Sequence, residues 1–168
     1  MEFRRIFDTI PDQFDRWRPR YCAQAFADIA QEAHLGPGAA ALEIGPGTGQ
    51  ATEPILRTGC DYLGVELGEH LAARMREKFA DAPNFSLVCG DFLEQDLGAE
   101  RFDLVLSAAT IQWMDEKDAF PRCYALLKPG GILAMLRLTP DYRTPNPALY
   151  DRIQEVYAAH FRPREAYT

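Results

Sequence analysis

The chain has 168 residues, a formal net charge of −7 and an isoelectric point near 5.0. That acidity weighs against a surface built to hold phosphate backbones, and 47% hydrophobic with 26% charged residues is the make-up of an ordinary globular domain. One domain with a real core is expected at this length, and no apolar run has the length or flanks of a signal peptide or a membrane span.

The polar start mixes Arg4, Arg5, Arg16, Arg18 and Arg20 with Asp8, Asp12 and Asp15. From Arg20 to His34, apolar residues recur at helical spacing until Gly36-Pro37-Gly38 stops them. Ala40 to Ile44 reads as a first strand. The next helix begins between Gly49 and Thr52, because Pro54 is tolerated only in a first turn, and it ends near Gly59. Asp61 to Glu66 is a second strand, followed by a helix from Glu69 to Ala80. Asn84 to Cys89 and Arg101 to Ser107 are a third and a fourth strand. A helix from about Asp115 to Leu127 ends in Lys128-Pro129-Gly130-Gly131, and Ile132 to Leu138 is a fifth strand. Asn146-Pro147 starts a last helix, to about His160, that would bury Leu149, Ile153 and Val156. Five alternations of strand and helix predict an α/β, doubly wound, mostly parallel sheet covered on both faces. Cys22, Cys60, Cys89 and Cys123 have no close pairing, so the spacing signals neither zinc nor disulfides; small buried thiols in a reducing cytoplasm are expected.

The most informative stretch is Ala41-Leu-Glu-Ile-Gly-Pro-Gly-Thr-Gly-Gln50. A buried strand that stops in a glycine-rich turn and feeds a helix brings backbone close to a nucleotide. A dinucleotide fingerprint needs a small residue where Gln50 stands, and Glu43 would repel a pyrophosphate but attract an ammonium. The pattern favours a nucleoside with a cationic amino-acid tail, the chemistry of S-adenosylmethionine.

Ligands of such sheets bind outside the carboxyl ends of the strands. Glu66 closes the second strand, where a carboxylate can accept bonds from both ribose hydroxyls. Asp91 and Phe92 follow the third strand, suited to an adenine amine and ring. Ser107 to Trp113 closes the fourth with small, then polar and aromatic residues. Taken singly, Glu66 would more often be solvated, Asp91 a turn cap, and Phe92 and Trp113 core residues. Their order along three strand ends is what singles them out.

Those segments together resemble a class I S-adenosylmethionine-dependent methyltransferase of the small-molecule group, over roughly residues 10 to 138. Glu43 to Gly49 resembles the family's glycine-rich motif, Glu66 its ribose-holding acid, and Gly90-Asp91-Phe92 its adenine turn. Phe102 to Ala109, Leu126 to Leu133 and Phe14 to Tyr21 resemble further family segments. The resemblance implies a Rossmann-like fold and a cofactor site of Arg18, Tyr21, Glu43, Gly45, Pro46, Gly47, Gly49, Glu66, Leu67, Gly90, Asp91, Phe92 and Ala108. Arg18 and Tyr21 would close over the cofactor's carboxylate, with Gln112 and Trp113 on the acceptor side. It also implies an N-terminal helical cap (1–38), a core (39–138) and a C-terminal helix (139–168).

Family members add an antiparallel hairpin after the fifth strand, for which too few residues remain. The expectation is therefore a fragment of a longer protein, or a second copy pairing with or swapping over the exposed fifth-strand edge. A small-molecule substrate is expected, with no nucleic acid, membrane or metal partner. His34, His70 and His160 lie away from the strand ends, and no general base stands out. A cofactor-binding or assembly module without turnover and a nicotinamide-dependent oxidoreductase are the competing readings.

Overall fold

Five parallel strands pair in the computed structural model, which describes residues 3–139 and 146–160, and the three inner ones are the apolar runs buried on both faces that such a sheet requires at its centre. The five are β1 (Ala40–Ile44), β2 (Asp61–Glu66), β3 (Phe85–Cys89), β4 (Phe102–Ala108) and β5 (Leu127–Leu136). Their spatial order is β3-β2-β1-β4-β5, with every neighbouring pair parallel. The direction of winding reverses at β1, so the crevice of a doubly wound sheet opens between the ends of β1 and β4. Ile44 lies opposite both Val65 and Ser107, which brings the carboxyl ends of β1, β2 and β4 level.

Successive side chains of a strand point to opposite faces, and the core divides accordingly. Ala41, Tyr62, Leu104 and Leu106 pack on one side with Phe26, Ala33 and Ile55. Leu42, Ile44, Val65 and Val105 pack on the other with Phe92, Cys123 and Leu126. Helices α2 (Ala23–Glu32) and α3 (Thr52–Leu56) supply the first layer and α5 (Glu116–Leu126) the second; α4 (Glu69–Lys78) buries Leu71, Ala72 and Met75. Ahead of them stand a 3-10 helix, Phe3–Thr9, and α1 (Pro11–Trp17), which the mixed charges of this segment do not announce.

Three expectations change. The fifth strand starts at Leu127, not Ile132: Leu127 lies opposite Phe102 and Ile132 opposite Leu104, with an irregular register between them. Gly131 makes this possible, since a Cβ there would stand 2.9 Å from the Phe102 carbonyl oxygen, so the supposed helix stop is a close backbone passage along β4. Of the thiols expected to be buried, Cys60 and Cys123 are, whereas Cys89 is half-buried at the end of β3 and Cys22, which precedes the first turn of α2, is exposed. Helix α6 (Pro147–His160) leaves Leu149, Ile153 and Val156 exposed; helical spacing alone does not supply a surface to bury them.

The chain divides into two compact units, one up to Arg137 and one from Leu138 that contains α6. Of the expected C-terminal stretch, residues 140–145 and 161–168 lie outside the described residues. Among the described residues β5 is a sheet edge paired to β4 alone, with Met135 55% exposed. No described helix is long and apolar enough to cross a membrane.

Candidate functional site

The turn after β1 needs glycine for two separate reasons. Gly45 and Gly47 have φ of +63° and +62°, a left-handed backbone that side chains disfavour. Gly45 also has no room for a Cβ, because Thr110 folds over it and donates through Oγ1 to the Gly45 carbonyl at 3.1 Å. Phe14 of α1 lies over Gly47, 3.1 Å from where its Cβ would be. Gly49 meets both demands as well: its φ is +84°, and a side chain there would meet Phe79 at 2.6 Å and the Met75 sulfur at 3.0 Å.

Two carboxylates sit behind this turn. Glu66 is buried, and its Oε2 accepts from the Gly47 N–H at 2.8 Å while Oε1 accepts from the Gly68 N–H at 2.9 Å. One acid at the end of β2 thus fixes the glycine turn and the entry to α4. Each oxygen keeps a second lone pair for a hydroxyl. Burial raises the Glu66 pKa, and the two backbone donors work against that rise. Glu43 is more deeply enclosed, at 1% exposure on the central strand. Its Oε2 accepts from Thr52 Oγ1 and from the Tyr62 hydroxyl, each at 2.7 Å, whereas Oε1 is buried with no hydrogen-bond partner. Burial pushes Glu43 up to about 7 despite those two donors, and the nearby Glu66 adds to the rise.

Two further acids hold the N-terminal segment on the site. Asp91 Oδ2 pairs with Arg4 at 2.7 Å, and Oδ1 accepts from the Leu93 N–H at 3.0 Å. Asp8 Oδ1 accepts from the Leu71 N–H in the first turn of α4, and Oδ2 lies 2.9 Å from His70 Nδ1. Asp8 approaches so closely that Gly68 has no space for a Cβ. These partners outweigh the effect of burial, and both acids titrate below the usual carboxylate range.

One cleft is lined by all but one of the sequence-derived site residues: Arg18, Tyr21, Glu43, Gly45, Pro46, Gly47, Glu66, Leu67, Gly90, Asp91, Phe92, Ala108, Gln112 and Trp113. Gly49 is not in its wall. Phe92 is 2% exposed and packs in the core with the Arg122 guanidinium over its ring, so it offers the cleft only an edge of its surface. Arg4, Phe7, Phe14, Thr110 and Met114 also line the cleft, and no local sequence signal marks them for it. Arg4 and Phe7 come from the 3-10 helix. Thr110 lies inside the Ser107–Trp113 stretch, but its fold-back depends on Ala109, whose φ of +59° has no sequence signal in alanine. No group of three or more His, Cys, Asp and Glu among the described residues is placed to hold a metal ion.

A nucleoside with a cationic tail fits this donor set. Backbone at Gly45 to Gly47, Glu66 with lone pairs beyond its two backbone bonds, and Asp91 line one cleft, and Glu43, whose Oε1 is buried without a partner, belongs to the same wall. A switch-point cleft with acids at successive strand ends marks a Rossmann-like nucleoside-binding fold. The family model described as a methyltransferase domain matches residues 42–135, more than half of the chain, and the chain belongs to that family.

A "methyltransferase-like" protein of Schizosaccharomyces pombe is 28% identical over 142 residues, 84% of this chain and 54% of that protein. A "ribosomal RNA small subunit methyltransferase A" of Thermosynechococcus vestitus is 44% identical over 71 residues, 42% of this chain and 26% of that one. Among solved structures, the CcbJ methyltransferase of Streptomyces caelestis superposes with a TM-score of 0.65 at 28% identity, covering 79% of this chain and 57% of that chain. The chain therefore spans between about a quarter and somewhat over half of the length of these relatives.

Proposed function

We propose that the cleft binds S-adenosylmethionine and that the whole protein transfers its methyl group to a small-molecule acceptor. The observation that carries this reading is the meeting of Gly47, Glu66 and Asp91 in one cleft at three strand ends. Glu66 would take the ribose hydroxyls while still holding the Gly47 and Gly68 amides, and Asp91 would take the adenine amine on the lone pairs that Arg4 and Leu93 leave. Arg18 and Tyr21 would meet the cofactor's carboxylate from the N-terminal side, and Glu43 its ammonium.

The bound sulfonium supplies an already activated methyl group. The chain therefore needs to align an acceptor and exclude water, a proximity effect worth several kcal/mol. Phe7 and Phe14, with ring centroids 5.1 Å apart, cover the cleft from the N-terminal side. Gln112 and Trp113 stand on the acceptor side, and Gln112 Nε2 is engaged with the Ala109 carbonyl at 2.9 Å, leaving its amide oxygen for an acceptor.

A net charge of −7 supports a small molecule over a polyanion. Ribosomal RNA methyltransferases align over 71 residues in one relative and 132 in another, in each case less than half of the relative's length, so RNA is the second acceptor reading. Titration calorimetry with S-adenosylmethionine, S-adenosylhomocysteine and NAD tests the reading. Binding of both adenosyl compounds and not of NAD is expected; binding of NAD alone would replace this reading with the oxidoreductase one. Adenosyl binding without methyl transfer by the whole protein to any extract would favour a non-catalytic module.

A further inference from the structure

Glu43 is an awkward residue to place at the centre of a sheet. It is 1% exposed, it lies next to a second buried acid, and only one of its two oxygens has a partner. A buried carboxylate anion with an empty acceptor is costly, and the ordinary remedy is to keep the proton. The groups facing it cannot relieve the charge. From β2 come Tyr62, which is neutral, and Glu66, which is acidic; from α3 comes the Thr52 hydroxyl. The charged or titratable groups elsewhere on the cleft wall are Arg4, Arg18, Tyr21 and Asp91, and none of them hydrogen-bonds to Glu43. Arg4 pairs with Asp91, and Arg18 lies over the Phe14 ring.

We infer that Glu43 keeps its proton while the cleft lacks an amine and releases it to solvent when a nucleoside with an ammonium tail binds, so the site discriminates ligands by the charge on that tail. The inference rests on the cofactor reading above and deepens it. Ionised Glu43 then has what it lacks in the free protein, a cation beside its unpartnered oxygen. The proton is not transferred to the ligand, whose amine already carries one; it leaves for the buffer. Binding below neutrality costs the removal of that proton, whereas above neutrality the anion is already formed.

The probes are S-adenosylhomocysteine, which has the ammonium tail, and 5′-methylthioadenosine, which shares adenine and ribose but has no amine. Calorimetry in buffers of different ionisation heat counts the protons released between pH 5.5 and 7.5. With a carboxyl near 7 in the free protein, S-adenosylhomocysteine should release close to one proton more than methylthioadenosine at pH 6, and about half a proton more at pH 7. Its affinity should rise about tenfold or more across that range, while that of methylthioadenosine, which reports any contribution of Glu66 at the ribose, changes less.

Glu43→Gln should abolish the difference between the two ligands. Tyr62→Phe, which removes one donor to the carboxylate, should move proton release to higher pH. Equal proton release by both nucleosides, an unaltered difference in Glu43→Gln, or no movement in Tyr62→Phe would overturn the inference while leaving cofactor binding intact. Failure of both nucleosides to bind would instead overturn the functional reading, and this inference with it.

Discussion

The acids of the cleft form two pairs with opposite behaviour. Glu43 and Glu66, at the ends of β1 and β2, are buried and titrate above the ordinary range; Asp8 and Asp91, one layer further out, titrate below it. Burial raises all four, and the difference lies in what stands opposite. The inner pair has hydroxyls and amides for partners, and its two members repel one another. The outer pair has Arg4 and His70 in addition to backbone N–H groups. An acid without a cation is held in readiness for one, whereas an acid with a cation is a fastening. On the proposed reading the inner pair answers the ammonium and the ribose, while the outer pair fastens the N-terminal segment, with Asp91 keeping further lone pairs for the adenine amine.

The largest expected effect tests the inner pair. The folded carboxyl of Glu43 lies near 7 against an unfolded value near 4.5, so its contribution to stability is complete below 4.5 and is lost as pH rises through 7. Urea unfolding of the ligand-free protein should show a loss on the order of 3 kcal/mol across that window, and Glu43→Gln should flatten it. Next, Glu66→Ala should weaken S-adenosylhomocysteine binding about 10- to 100-fold, the worth of charge-assisted bonds to two hydroxyls, with an unchanged circular dichroism spectrum. Unchanged affinity would remove Glu66 from the ribose.

For the outer pair the sign reverses. Because its folded pKa is lowered, Asp8 contributes stability that is present above an unfolded value near 3.8 and lost as pH falls through the folded one. Asp8→Ala should cost about 1 kcal/mol, as loss of a helix-capping acceptor does, and speed amide exchange across Phe3–Trp17 and the first turn of α4. Arg4→Ala should be the mildest, below about 1 kcal/mol, because the ion pair is only partly buried. If it instead abolished nucleoside binding, Arg4 would be ligand machinery and the division between the two pairs would fail.

Much of the inner region was legible in the sequence, because it is built locally. An apolar run, an acid and three glycines specify β1 and its turn without reference to the rest of the chain, and Glu66 and Asp91 follow from the same strand-end rule. The outer region depends on long-range pairing. Nothing near Asp91 announces Arg4, and nothing near Gly68 announces Asp8. The start of β5 is hidden for a related reason: Pro129 and Gly130 look like punctuation, while pairing with β4 is already made at Leu127 and resumes at Ile132 after an irregular step. Gly49 belongs to the segment that resembles the family's glycine-rich motif, and its packing against Phe79 and Met75 is a long-range contact that the segment does not announce.

The two tryptophans of the chain are placed so differently that they make a built-in optical gauge. Trp113 is part of the cleft wall, whereas Trp17 is 72% exposed, with the Arg16 guanidinium 5.0 Å from its ring centre. In a Trp17→Phe variant all tryptophan emission would come from the cleft, so a change in its intensity or wavelength on adding a nucleoside would follow occupancy directly, with no label and no knowledge of the methyl acceptor.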